Sequence, residues 1–189
     1  MVILHVKKAL IFCGMPGSGK SIGATVAKDL GIPVLVMGDV VREEVTRRRI
    51  PHNPQTLGQV MIELREKFGP AVIAQRVIET LSTVTGPSVV IDGARSEAEV
   101  QAFKEAINHV QVVAVHAAPK IRYERLRLRG RDDDSLTDDI LFERDSRELD
   151  IGLGRLIAQA DIMIINEGEP EDLQSQIRHI LTEAFELTQ

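Results

Sequence analysis

The chain has 189 residues, of which 43% are hydrophobic and 27% charged, with a formal net charge of −5. That make-up fits one globular domain with a sizeable core, and the acid excess excludes a protein that binds nucleic acid by general charge. A single cysteine, Cys13, excludes an internal disulfide framework, and no apolar run approaches the length of a membrane span.

The first apolar run, ALIFC (9–13), reads as a buried strand, and IGATVAKDL (22–30) as a helix ending at Gly31. Lys7 and Lys8 precede that run, but it is too short for a secretory h-region. We therefore expect a cytoplasmic protein with no membrane or nucleic-acid partner. Between strand and helix lies GMPGSGKS, which fits G-x-x-x-x-G-K-[ST] with Gly14, Gly19, Lys20 and Ser21 at the fixed positions. Glycines let successive backbone N–H groups reach phosphate oxygens, and the following helix aims its positive end at the same anion. We expect Gly14, Met15, Pro16, Gly17, Ser18, Gly19, Lys20 and Ser21 to cradle a nucleotide. Lys20 would act at the β- and γ-phosphates, and Ser21 on Mg²⁺.

The second run, PVLVM (33–37), ends at Gly38. Asp39 follows as an expected N-cap for the helix VVREEVTRRR, with Arg42 one turn on, able to point back to the sheet edge. Glu43 and Glu44 read as dipole partners, and Arg47, Arg48 and Arg49 as a solvated face. About 50 residues (38–86) separate strands two and three, broken by Pro51, Pro54 and Gly69-Pro70. Leu57, Met61, Leu64 and Phe68 fall at helical spacing there, giving this insert its own apolar face.

The third run, PSVVI (87–91), delivers Asp92 to the carboxyl edge of the sheet, where it could join a Mg²⁺ shell or accept a proton. Arg95 and the capping box Ser96-x-x-Glu99 come next, placing Arg95 as a clamp for a second phosphate. The fourth run, VQVVAV (110–115), leads through His116, read as structural, to a long charged connection. Arg122, Arg125 and Arg129 share one helical face, Arg131 and Asp132-Asp133-Asp134 form a polar loop, and Arg144 and Arg147 follow. Two arginine groups around a polar loop suggest a lid that closes on the transferred phosphoryl group. The fifth run, DIMII (161–165), ends at Asn166. Five strands alternating with helices imply a parallel sheet covered on both faces.

GMPGSGKS, MGDVVREE, VIDGARS, RYERLRLRGRDDD and INEGEPEDL together resemble the nucleoside-monophosphate-kinase group of phosphate-loop proteins. They are most similar to a little-characterised archaeal family related to dephospho-coenzyme-A kinase and adenylate kinase. The resemblance implies a single α/β/α domain with a five-stranded sheet in the order 2-3-1-4-5. It also implies an acceptor-binding insert over 38–86, a lid with flanking helices over 119–158, and ATP with Mg²⁺ as cofactors. By that resemblance Lys20, Asp92, Arg131, Arg144 and Arg147 are catalytic, with Ser21 and Asp92 on the metal. Arg42, together with Asp39 and Arg95, faces the acceptor; Arg129 and Asn166 border the donor. Met37 stands where adenylate kinases usually carry a hydroxyl residue, the lid is short and lacks a cysteine quartet, and no Asp-x-Asp acceptor motif is evident. The acceptor, the donor base and the oligomeric state therefore stay open. A simple NTPase and a nucleotide-sensing module are the rival readings.

Overall fold

The computed structural model describes residues 5–129 and 137–187. Strands β1 (Lys8–Cys13), β2 (Val34–Val36), β3 (Ser88–Asp92), β4 (His109–His116) and β5 (Ile162–Ile165) form one sheet. Its order is β2-β3-β1-β4-β5, as the resemblance implied, and each neighbouring pair is parallel. Side chains alternate along each strand, so β1 sends Ala9, Ile11 and Cys13 into one core and Leu10 and Phe12 into the other.

Helices α1 (Ser21–Asp29) and α9 (Pro170–Ala184) cover the second core. Over the first lie α2 (Met37–Arg48), α3 (Pro54–Phe68), α4 (Val72–Thr80), α5 (Glu97–Ala106) and α8 (Leu153–Ala158). Helices α6 (Pro119–Arg129) and α7 (Asp138–Ile151) complete the long connection before β5.

Three boundaries differ from expectation for local reasons. β2 is cut to three residues because the helix begins at Met37, with Val36 as its uncapped N-terminal flank. Asp39 therefore sits inside the first turn of α2 and is not its cap. Asp161 stays outside β5 and instead accepts a hydrogen bond from Val112 N at 2.7 Å. Phe68 leaves the apolar face of α3: it is 52% exposed, with Lys67 and Arg76 against its ring, whereas Met61 and Leu64 are buried. Pro54 opens α3 as a first-turn proline, behind an Asn53 side chain that accepts from Thr56 N at 2.8 Å.

Candidate active site

The phosphate loop leaves β1 and enters α1 without a side-chain cap, so the first N–H groups of α1 have no capping side chain from the protein. Two glycines are dictated by close approach. A Cβ on Gly17 (φ 80°) would lie 2.6 Å from the Arg122 carbonyl oxygen, and one on Gly19 (φ 94°) 2.3 Å from Asn166 Nδ2. Asn166 is buried and donates from Nδ2 to the Ser18 carbonyl at 2.7 Å. Its side-chain amide thus braces the backbone of the phosphate loop. Arg125 likewise donates to the Asn166 carbonyl at 2.9 Å.

Asp92 is the last residue of β3, in register with Phe12 on one side and Val36 on the other. This puts its carboxylate at the sheet edge beside the loop. Burial raises its pKa, while the positive charges of Lys20, Arg95 and Arg42 pull it back down. Lys20 shifts the opposite way: loss of water lowers its pKa, opposed by Asp92 and reinforced by Arg95 and Arg144. Asp92 Oδ1 is buried without a hydrogen-bond partner among the described residues. Such a group is costly unless something fills the site.

Gly17, Gly19, Lys20, Ser21, Asp92, Arg42, Arg95, Arg144 and Arg147 border one cavity of about 350 Å³. Its far wall is the insert, through Val41, Leu57, Gly58 and Met61. Arg42 is held by Asp39, with Nε and Nη2 at 3.0 and 2.5 Å from Oδ1. Asp39 thus pairs with Arg42 within α2 through one carboxylate oxygen, and both side chains are about half exposed. Arg95 Nε lies 2.7 Å from Glu148 Oε2, yet that oxygen has no aligned hydrogen bond among the described residues. Arg147 rests on Gly58 of α3, where a Cβ would come within 2.9 Å of Nη1. Arg129 ends α6, and Arg131 lies outside the described residues.

Four acids are buried in ways that the sequence did not signal directly, although Glu99 was read as part of a capping box and Glu44 as a dipole partner. Asp145 and Glu148 are buried with Leu141 on one face of α7. Asp145 receives Arg122, and Glu148 receives Arg95. Glu99, fully buried, accepts from Arg95 N at 2.7 Å and pairs with Arg65 at 2.5 Å. Glu44, expected at the surface as a dipole partner, is 4% exposed beneath Arg47, Arg48 and Arg76. The indirect trace of all four was an acid at helical spacing from core apolar residues, such as Glu44 three residues after Val41.

With this geometry in hand, comparison with known proteins is informative. A UPF0200 protein of Hyperthermus butylicus is 42% identical over 173 residues, covering 92% of each chain. One from Pyrococcus abyssi is 41% identical and covers 91% of this chain and 96% of its own. The chain belongs to the UPF0200 family. Its residues 13–138 also match a family described as an AAA domain. Among solved structures, TT1252 from Thermus thermophilus superposes with a TM-score of 0.64 at 22% identity, over 97% of this chain and all of that one. Shikimate kinase from Bacteroides thetaiotaomicron gives 0.54 at 18%, covering 95% of this chain and 99% of its own. A gluconokinase from Sinorhizobium meliloti gives 0.57 at 15%, covering 95% of each. This chain thus shares the fold of phosphate-loop kinases. Among the described residues no helix is long and apolar enough to cross a membrane.

Proposed function

We propose that this protein is an ATP-dependent phosphotransferase whose acceptor is an anionic, nucleotide-like small molecule. The observation that carries the reading is convergence. Arg42 from α2, Arg95 from the loop after β3, and Arg144 and Arg147 from α7 meet Lys20 and Asp92 around one cavity. Hydrolysis needs only water on the far side of the γ-phosphate. Guanidinium groups across the cavity are better explained by an acceptor that brings its own charge.

In this reading Lys20 bridges the β- and γ-phosphates. Ser21 and the unpartnered Asp92 Oδ1 would hold Mg²⁺, which supplies neutralisation of the phosphate oxygens. Among the described residues no group of three His, Cys, Asp or Glu side chains is placed to hold a metal. The ion would then draw most of its ligands from phosphate and water, as Mg²⁺ usually does. Arg42 and Arg95 orient the acceptor, and Arg144 and Arg147 meet the phosphoryl group as it moves. The bond from the γ-phosphorus to the bridging oxygen breaks, one to the acceptor oxygen forms, and ADP leaves. An acceptor phosphate brings no proton to that oxygen, and an acceptor hydroxyl would give its proton to water or to Asp39. We read α2 to α4 as the acceptor-binding insert and the segment from α6 to α8 as the lid and its flanks.

The test is a coupled ADP-release screen across nucleoside monophosphates and dephospho-coenzyme A. Shikimate and gluconate belong in the panel because the structural neighbours carry those names. ADP formed only when one acceptor is present supports transfer. Equal ADP release with and without every acceptor would make the protein a hydrolase. Tight nucleotide binding without turnover would make it a sensor.

A further inference from the structure

We infer that the buried Arg122–Asp145 pair is the strut that fixes Arg144 and Arg147 against the phosphate loop, so that both members are positioning residues for the proposed transfer. The inference rests on that reading of the site. Its physical basis is a continuous chain of hydrogen bonds from the phosphate loop to the backbone of α7.

Arg122 is only 3% exposed, and each of its nitrogens is committed. Nε donates to the Ala117 carbonyl at 3.1 Å. Nη1 donates to the Pro16 carbonyl at 2.9 Å and to Asp145 Oδ1 at 3.0 Å, and Nη2 to Asp145 Oδ2 at 2.5 Å. Tyr123 adds its hydroxyl to the same Oδ2 at 3.1 Å. The loop also presses on Arg122 from the other side, because Gly17 leaves no space for a Cβ against the Arg122 carbonyl. Asp145 therefore reports the position of the loop backbone to α7.

On α7 the carboxylate lies between the two cavity arginines. Asp145 points inward and is 7% exposed, while Arg144 and Arg147, one residue before and two after, border the cavity. A helix turns 100° per residue, so anchoring position 145 fixes the directions in which 144 and 147 leave the axis. Misplacement of a reacting group by about 1 Å can cost roughly 10² in rate. A paired buried charge brings little net stability over an apolar pair of the same volume. Its bidentate geometry is what an apolar pair lacks.

The other buried pair near the site differs in kind. Arg65 joins Glu99 and the Met61 carbonyl, and Glu99 accepts from Arg95 N. That pair links α3 to the loop after β3 and makes no contact with Pro16. It fixes the insert, not the register between loop and α7.

The experiment uses ADP and the full chain with two variants, Asp145→Asn and Arg122→Met/Asp145→Leu. Asp145→Asn leaves a buried cation and is expected to melt lower. The apolar double variant removes both charges but leaves the Pro16 and Ala117 carbonyls without their donor, so it should melt below wild type and above Asp145→Asn. Hydrogen exchange with and without saturating ADP then reads the coupling. In the wild type, ADP should slow exchange in residues 14–21 and in α7. In the double variant, slowing should persist in 14–21 and disappear from α7. Single-turnover transfer to any acceptor found by the screen should fall about 10- to 100-fold, below the roughly 10³–10⁵ that a supplied arginine contributes. ADP affinity should change only a few-fold. Retained slowing in α7 of the double variant, or full transfer by it at a temperature where it is folded, would reduce the pair to a packing element and overturn the inference. No ADP effect on residues 14–21 of the wild type would overturn the proposed function itself, and the role of the strut with it.

Discussion

On the phosphate side of the cavity, long side chains end on backbone: Arg122 on Pro16 and Ala117, Asn166 on Ser18, Arg125 on Asn166. The two arginines on the far side of the cavity, Arg42 and Arg95, rest on acids instead, and more loosely. The Arg42–Asp39 pair is about half exposed at both ends, and Arg95 meets Glu148 without hydrogen-bond alignment. Backbone anchors hold a loop in one shape, whereas a half-exposed ion pair exchanges partners at small cost. Under the proposed function, this contrast means that the phosphate loop is preformed for a donor, and that Arg42 and Arg95 rest on acids from which an acceptor phosphate could draw them.

The harshest test of this contrast is Lys20→Ala. It removes the cation at the transferring phosphate from a loop whose shape is held by other residues. Turnover should fall by at least about 10³-fold, the lower end for a charge-stabilising group in phosphoryl transfer. The melting temperature should barely move. Wild-type turnover in this variant would show that the chemistry lies elsewhere. Next in size come Arg144→Ala and Arg147→Ala, each expected to lower single-turnover transfer by ~10²–10³ on the same scale. ATP affinity should hold, because the contacts form as the phosphoryl group moves. Near-normal transfer with a small drop in melting temperature would return both arginines to a surface role.

Arg42→Ala tests the acceptor side alone. Loss of one charged hydrogen-bond pair costs about 1.5–3 kcal/mol, so the acceptor KM should rise about 10- to 150-fold while that of ATP stays put. Steady-state kinetics with each substrate varied in turn would show it. A selective loss of ATP affinity would move Arg42 to the donor side and erase the contrast.

What was legible in the sequence follows the same division. The phosphate loop, the five strands and Asp92 announce themselves within a few residues, because phosphate cradling and sheet alternation are local. Arg122 reads locally as one of three arginines on a helix face; its partners lie 106 residues earlier and 23 residues later. Asn166 and Ser18 are 148 residues apart. No spacing rule links them. Asp39 departs from its expected capping place for a different reason: the helix starts at Met37, two residues before it, so the cap position falls on Val36. The buried acids Glu44, Glu99, Asp145 and Glu148 look like surface charge unless their phase is set against neighbouring apolar positions.

Glu44 offers a pH test on the insert. Its pKa falls from the ordinary 4.5 to about 2, chiefly through the hydrogen bond from Arg47, against the upward push of burial. A lowered carboxyl stabilises the fold above its unfolded value and loses that contribution as pH falls through the folded one. The tie should therefore weaken between pH 4.5 and about 2. Glu44→Gln should lower stability at neutral pH, because a neutral amide replaces the carboxylate that Arg47, Arg48 and Arg76 share. It should also flatten the acid decline in melting temperature. Parallel pH curves for variant and wild type would remove Glu44 from the ties that hold the insert.

The smallest effect is the most diagnostic. Gly58 sits buried within α3, where glycine is worse than alanine by roughly 0.5–1 kcal/mol. Nothing in its backbone demands glycine, since it is not among the positive-φ residues. A new Cβ would meet Arg147 Nη1 at 2.9 Å and Cζ at 3.1 Å, the far end of a flexible side chain. The guanidinium can move aside at little energetic cost. Gly58→Ala should then raise the melting temperature by a few degrees while lowering transfer, about as much as a 1 Å displacement of one clamp allows, up to ~10²-fold. Stability and activity would move in opposite directions, which links the glycine to the placement of Arg147. A stabilised variant with unchanged transfer would show that Arg147 works equally well from another rotamer, and the insert would be even looser than the contrast with the phosphate loop requires.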